Sequence, residues 1–346
     1  MVVSTKTAAT SSEAPIRAVP PPSSQEGGAA SAALLSQIRD LGRTLDDVER
    51  ARIQVGNRIA AISRGEEVVY DGQVPPAVLA SFDLLVSAEE EIVKEMERTW
   101  RKHPLYGWSR NVPGVGDKLI SRLLAEIGDP TLRPVGHFEE PDNARRKFVV
   151  DGYEPRSLSQ LLAYTGHGDP TRRKRASRNG SGMSQAEALR LGNPVAKKRL
   201  FLIAKAGTQH MCPACKENSR RVKAERKAAG MSQAEIGRYI PPAAEGCVCA
   251  VTHPLRFAYD SARAKYSIRT HDEGVRVGQL WADAHIKAAA LRYTGKVFLK
   301  MLHAAALDPD GSAKAMKERR AAATKGSPSS GTNRHTSSQS GQGASS

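Results

Sequence analysis

No apolar run in this 346-residue sequence approaches the ~18 residues of a membrane-spanning helix, so no membrane partner is expected. The N-terminal stretch MVVSTKTAATSSEAPIRAVPPP lacks the continuous hydrophobic region of a secretory signal. No basic amphipathic helix with an aromatic-rich face stands out, which argues against an anionic membrane surface. Four cysteines are too few for a disulfide scaffold at this length. Together these absences predict a cytoplasmic protein.

What the chain does have is positive charge. Its formal net charge is +16, which suits a polyanionic partner, most simply DNA. The charge is polarised. Residues 31–100 carry 13 acidic and 8 basic side chains, whereas residues 171–230 carry 16 basic and 3 acidic ones. Such a distribution points to a defined binding face.

Hydrophobic spacing predicts a mainly α fold. Residues 1–30, rich in Ser, Ala, Pro and Gly, read as a disordered tail. Leu34, Leu35, Ile38, Leu41, Leu45 and onward to Ile62 recur at threes and fours, and Pro76 to Arg101 restarts the pattern. Residues 31–104 therefore read as a helical hairpin or coiled-coil spacer, through which the chain is expected to form a homo-oligomer. Residues 105–307 read as an α-helical domain with an insertion at 208–253. Residues 308–346 read as a second disordered tail. Asp129 to Pro155 is polar and irregular, with room for one short strand around Phe148-Val149-Val150.

The domain opens on WSRNVPGVGDKLISRLLAEIGD. Val112-Pro113-Gly114-Val115-Gly116 is a tight turn, and Leu119, Ile120, Leu123, Leu124 and Ile127 follow helical spacing. Helix, Gly-rich turn and helix together resemble a helix-hairpin-helix, a module that grips the nucleic-acid backbone. Exposed amides at the start of a helix favour a phosphate oxygen. Val112, Gly114, Val115, Gly116 and Lys118 are the expected DNA contacts here.

A second basic cluster, Arg172, Arg173, Lys174, Arg175 and Arg178, lies in a loop, and Lys197, Lys198 and Arg199 follow on a helix. Both are expected to neutralise DNA phosphates. The pentapeptide MSQAE occurs at 183–187 and again at 231–235. Ser followed by Glu three residues later is a helix-start capping box. The second copy resembles the first half of a helix-turn-helix, but Pro241-Pro242 follows where a recognition helix is needed.

All four cysteines fall in two close pairs, Cys212-Pro-Ala-Cys215 and Cys247-Val-Cys249. Two such pairs can supply four thiolates to one tetrahedral structural zinc, with His210 and His253 as substitute ligands. The basic segment between them, KENSRRVKAERKAAG, would become a small knob presenting charge to a phosphate. Four unligated thiols are the alternative.

Several phrases occur in one order: VPGVGDKLISRLLAEIGD, SLSQLLAYTGHGDP, GMSQAEALRLGNPVAKKRLFLIAKA, YDSARAKYS and AALRYTGKVFLKML. Over about residues 105–305 they resemble the C-terminal transposase domain of the insertion-sequence 110/116/902 family. The resemblance implies DNA transposition, with a serine nucleophile for strand exchange and a guide RNA as partner. Ser177 lies in the matching loop, and Ser181, followed by Gly, is the other candidate. Both can equally be read as loop serines between phosphate-binding arginines. The family also carries an N-terminal RNase-H-like domain whose four carboxylates hold magnesium. No strand run bearing an early Asp precedes Tyr106, so magnesium enters only if a partner supplies that half. Two other functions compete: a non-catalytic accessory or architectural nucleic-acid binder, and a helix-hairpin-helix DNA glycosylase. Lys118 matches the position of the glycosylase Schiff-base lysine. PVGHFEEPDN, with Asp142, does not supply the catalytic Asp phrase that superfamily needs.

Overall fold

A computed structural model describes residues 25–66, 71–139, 147–168, 192–239, 244–245, 247–272 and 276–325. It is mainly helical with one two-stranded sheet. The first helices are α1 (Gln25–Ser63), α2 (Pro76–Trp100), α3 (Tyr106–Ser109) and α4 (Asp117–Ile127). Strands β1 (Leu132–Glu139) and β2 (Lys147–Pro155) follow, then α5 (Leu158–Tyr164) and α6 (Pro194–Gly207). Next come α7 (Pro213–Ala228), α8 (Gln233–Arg238), α9 (Cys249–Thr252) and α10 (Pro254–Ser267). Helices α11 (Asp283–Leu307) and α12 (Pro309–Lys325) close the chain.

Helices α1 and α2 form an antiparallel hairpin, in which Arg52 pairs with Glu89 and Gly56 faces the Phe82 ring. Leu35, Ile38, Leu45 and Ile62 of α1 are buried, as are Met96 and Trp100 of α2. The spacing of these residues puts them on one helical face each.

Helix α4 is the centre of the molecule. Ile120, Ser121, Arg122, Leu123, Leu124, Ala125 and Ile127 are all buried, so the helix is covered on nearly every side. Helices α1, α2 and α6 cover it. Helix α11 lies on α6 and α10, and its Phe298 ring meets Trp108 at 5.9 Å. One continuous core runs from α1 through α4 and α6 to α11.

Four stretches differ from the sequence reading, the first being residues 25–30, expected to be tail, which open α1. Residues 132–155 form a regular antiparallel hairpin, with Leu132 opposite Pro155, Glu139 opposite Lys147 and a bulge between Val135 and Gly136. Polar side chains pair across it, Arg133 with Glu154 at 2.6 Å and His137 with Asp151 at 3.0 Å. That hides the apolar alternation by which a strand is read. Residues 309–325, expected to be tail, form α12. Its Met316 is buried, and Ala313 packs on Gly107 of α3. Residues 276–282, within the domain expected to be α-helical, instead fold back on the end of the preceding segment through isolated bridges, Thr270 to Leu280 and His271 to Val277. Residues 1–24 and 326–346 lie outside the described residues.

Candidate metal centre and basic surface

The four cysteines come from two separate places in the chain. Cys212 precedes α7 and Cys215 lies in its first turn, while Cys247 and Cys249 lead into α9. The four sulfur atoms all lie within 4.8 Å of one another. A tetrahedral ion with Zn–S bonds of ~2.3 Å places its sulfurs ~3.8 Å apart, so this group can hold a metal ion. All four are free thiols, and Cys212 and Cys249 are buried. His210 and His253 are not part of the cluster.

The surroundings favour a thiolate at Cys212 alone. The Cys212 amide donates to the Cys249 sulfur at 3.2 Å, and the Cys249 amide donates to the Cys247 sulfur at 3.4 Å. Burial works against ionising Cys212, but the amides of Cys215 and Val248 and two neighbouring thiols hold it down at about 7. Burial and the Cys212 charge push Cys215 up to about 11 and raise Cys249 further. Four thiols this close cannot all ionise without a cation between them.

Helix α7, which grows from this cluster, has no buried residue. Over 16 residues it carries Lys216, Arg220, Arg221, Lys223, Arg226 and Lys227 against two glutamates. A helix that is polar all round has no core to hold it in place. Its ends are fixed instead. The cysteines anchor the start, and at the far end Arg226 lies 3.4 Å over the Tyr239 ring. The turn into α8 closes on the Ser232 and Glu235 capping box, as the MSQAE spacing predicts.

The other expected DNA contacts are distributed unevenly. Arg172, Arg173, Lys174, Arg175, Arg178, Ser177 and Ser181 lie outside the described residues, as do Asp142 and the first MSQAE copy. Val112 and Val115 are buried in the core. Gly114 has φ +83°, and a Cβ there would stand 2.7 Å from the Gly207 Cα at the end of α6. This glycine serves a close helix-to-turn approach inside the protein. Gly116 alone of the turn faces open space. Lys118 lies 3.7 Å from Glu89, and Asp117 pairs with Arg101. Lys197 and Lys198 are exposed on α6.

Arg199 is buried and paired with Asp46 of α1. Asp46 also accepts from Arg122 at 2.6 Å, and Glu49 accepts from Arg122 at 2.6 Å. In the sequence these carboxylates lie on the polar side of the apolar pattern of α1, where solvent would account for them. They instead balance two arginines at the junction of α1, α4 and α6. Periodicity reports which face is polar, not what lies opposite, so this pairing had no local signal.

Asn193 has a structural role without a clear signal in the sequence. Its Oδ1 accepts from the amides of Val195 and Ala196, capping α6, and its Nδ2 donates to the Tyr164 hydroxyl at 3.0 Å. Beside it, Gly192 has φ +85°, and a Cβ there would collide with the Gly166 nitrogen. The Gly-Asn pair thus ties the start of α6 to the end of α5. Among the described residues, no helix is long and apolar enough to cross a membrane. Compared with family models, curated proteins and solved structures, the chain matches none.

Proposed function

We propose that this chain binds nucleic acid as a transposase-like protein of a mobile element, and that a structural zinc ion at the four cysteines positions its basic helix. The observation that carries this reading is α7, a strongly cationic helix with nothing buried, tethered at the cysteine cluster. Four soft sulfur ligands this close suit zinc, which binds four thiolates tetrahedrally. The ion would supply cross-linking and charge balance, and the helix would supply phosphate contacts, giving affinity that depends on salt rather than on sequence.

The resemblance of residues 105–305 supports transposition as the setting. One observation favours the accessory reading for the chemistry. Among the described residues, the cysteines are the one grouping of three or more ligand side chains that could hold a metal ion. A carboxylate site would then belong to a partner.

Titration of labelled duplex DNA with the zinc-loaded chain at several salt concentrations tests the binding. Affinity should fall linearly with salt on logarithmic axes. Arg220→Ala with Arg221→Ala should reduce the slope by about 2, near one for each phosphate no longer neutralised. A wild-type protein with no affinity at low salt would defeat the proposal. Covalent trapping on element-end DNA, with Ser177→Ala and Ser181→Ala as comparisons, tests the recombinase reading. An adduct that disappears in one variant identifies a nucleophile, and no adduct in any preparation leaves the accessory role.

A further inference from the structure

Four arginines line one cleft of about 650 Å³ where α1, the end of α4, the β-hairpin and α5 meet. Arg39 and Arg43 stand one turn apart on α1, Arg133 comes from β1, and Arg156 follows β2. Glu126 is the one carboxylate in the lining, and burial raises its pKa above the ordinary carboxylate value. The lining therefore holds a clear excess of positive charge.

These arginines differ in what they already touch. Arg133 pairs with Glu154 at the exposed strand edge. Arg39 and Arg43 make no hydrogen bond or ion pair among the described residues. Arg156 is 6% exposed, and its Nη1 donates to the carbonyls of Ile127 at 2.9 Å and Asp129 at 3.3 Å. Its own carbonyl accepts from His303 at 3.0 Å, which fixes the backbone behind it. Among the described residues no carboxylate bonds to this buried guanidinium, and burial pushes its pKa down from the ordinary arginine value. A desolvated guanidinium bonded only to carbonyls, with Asp129 as a nearby negative charge and with Arg39 and Arg43 beside it making no hydrogen bond among the described residues, is stabilised by an incoming anion.

The shape narrows the anion. Guanidinium forks match phosphate oxygens in pairs. The Tyr164 ring, 37% exposed, lies on the cleft wall with the Arg156 guanidinium 5.3 Å from its centroid. A cationic groove with an aromatic ring on its wall is the arrangement that holds unpaired bases and their backbone. We infer that this cleft binds the phosphodiester backbone of a single nucleic-acid strand. The inference rests on the nucleic-acid-binding reading and places a contact away from α7.

The test uses the full zinc-loaded chain, labelled oligothymidylate and a duplex of equal length. Arg39→Ala with Arg43→Ala is the cleft variant. Arg50→Ala, an exposed position on the same helix, is the control. The cleft variant should weaken single-strand affinity on the order of tenfold and take about 1–2 from the salt slope, with less change on the duplex. Arg43→Lys, which keeps the charge and loses the fork, should retain only part of the affinity. Equal thermal midpoints and metal content establish that the variants are folded. Unchanged single-strand binding in the cleft variant overturns the cleft and leaves the nucleic-acid reading intact. An equal loss on the duplex overturns the assignment to a single strand. Displacement of the strand by inorganic phosphate, beyond what chloride does at equal ionic strength, assigns the cleft to free phosphate and overturns it. No binding of either DNA by wild type removes both readings together.

Discussion

His103 sits just after α2, 5% exposed and stacked on Trp100 at 4.9 Å. The Leu105 amide donates to its Nδ1 at 3.2 Å, so that nitrogen must carry a lone pair. Nε2 then holds the proton and faces the Ser31 hydroxyl at 3.2 Å. The ring is neutral by geometry. Burial pushes its pKa down from 6.5 to about 4, against a smaller opposing pull from Asp129. As pH falls, the unfolded chain takes up this proton first. The stabilisation is therefore complete above 6.5 and is lost as pH drops toward 4. The loss should be on the order of 3 kcal/mol. Urea midpoints across that window should fall in wild type and flatten in His103→Asn, since both proteins share every carboxylate. Parallel profiles would contradict the assignment. None of this was legible in the sequence, where His103 is one of nine histidines without a motif. The cysteines were legible because a metal site depends on a short spacing, Cys-x-x-Cys and Cys-x-Cys. The partners of Arg122 and Arg199 were not, because Asp46 is 76 and 153 residues away from them.

At the scale of elements, the hairpin turn shows how a motif can be seen and its contacts still differ from expectation. The glycines and the helix after them were readable. That Gly114 faces Gly207, and not solvent, depends on α6, whose position no local pattern gives. Gly114→Ala should cost about 2–4 kcal/mol from left-handed strain and the clash with α6, measured by thermal unfolding. Gly116→Ala has ordinary φ and open space, so it should leave stability nearly unchanged. A Gly114→Ala protein as stable as wild type would refute the packing role. Helix α12 was missed for a related reason. Its contact with α3 rests on small residues and Met316, so its composition resembles a tail.

Across the whole molecule, the charge polarity of the sequence changes meaning once folded. Part of the acid in α1 and α2 is engaged internally, Asp46 and Glu49 with Arg122 and Arg199, and Glu89 with Arg52 and Lys118. The acidic half therefore serves partly to attach the helical hairpin to α4 and α6. The basic half retains exposed charge on α7, which the cysteine cluster ties to α9. The most direct measurement is of metal content and DNA affinity on one sample, before chelation, after it, and after zinc is restored. The account predicts one zinc per chain, an affinity that drops on the order of tenfold once α7 is no longer anchored, and recovery with zinc. A zinc-free protein that binds DNA with unchanged affinity and salt slope would contradict it.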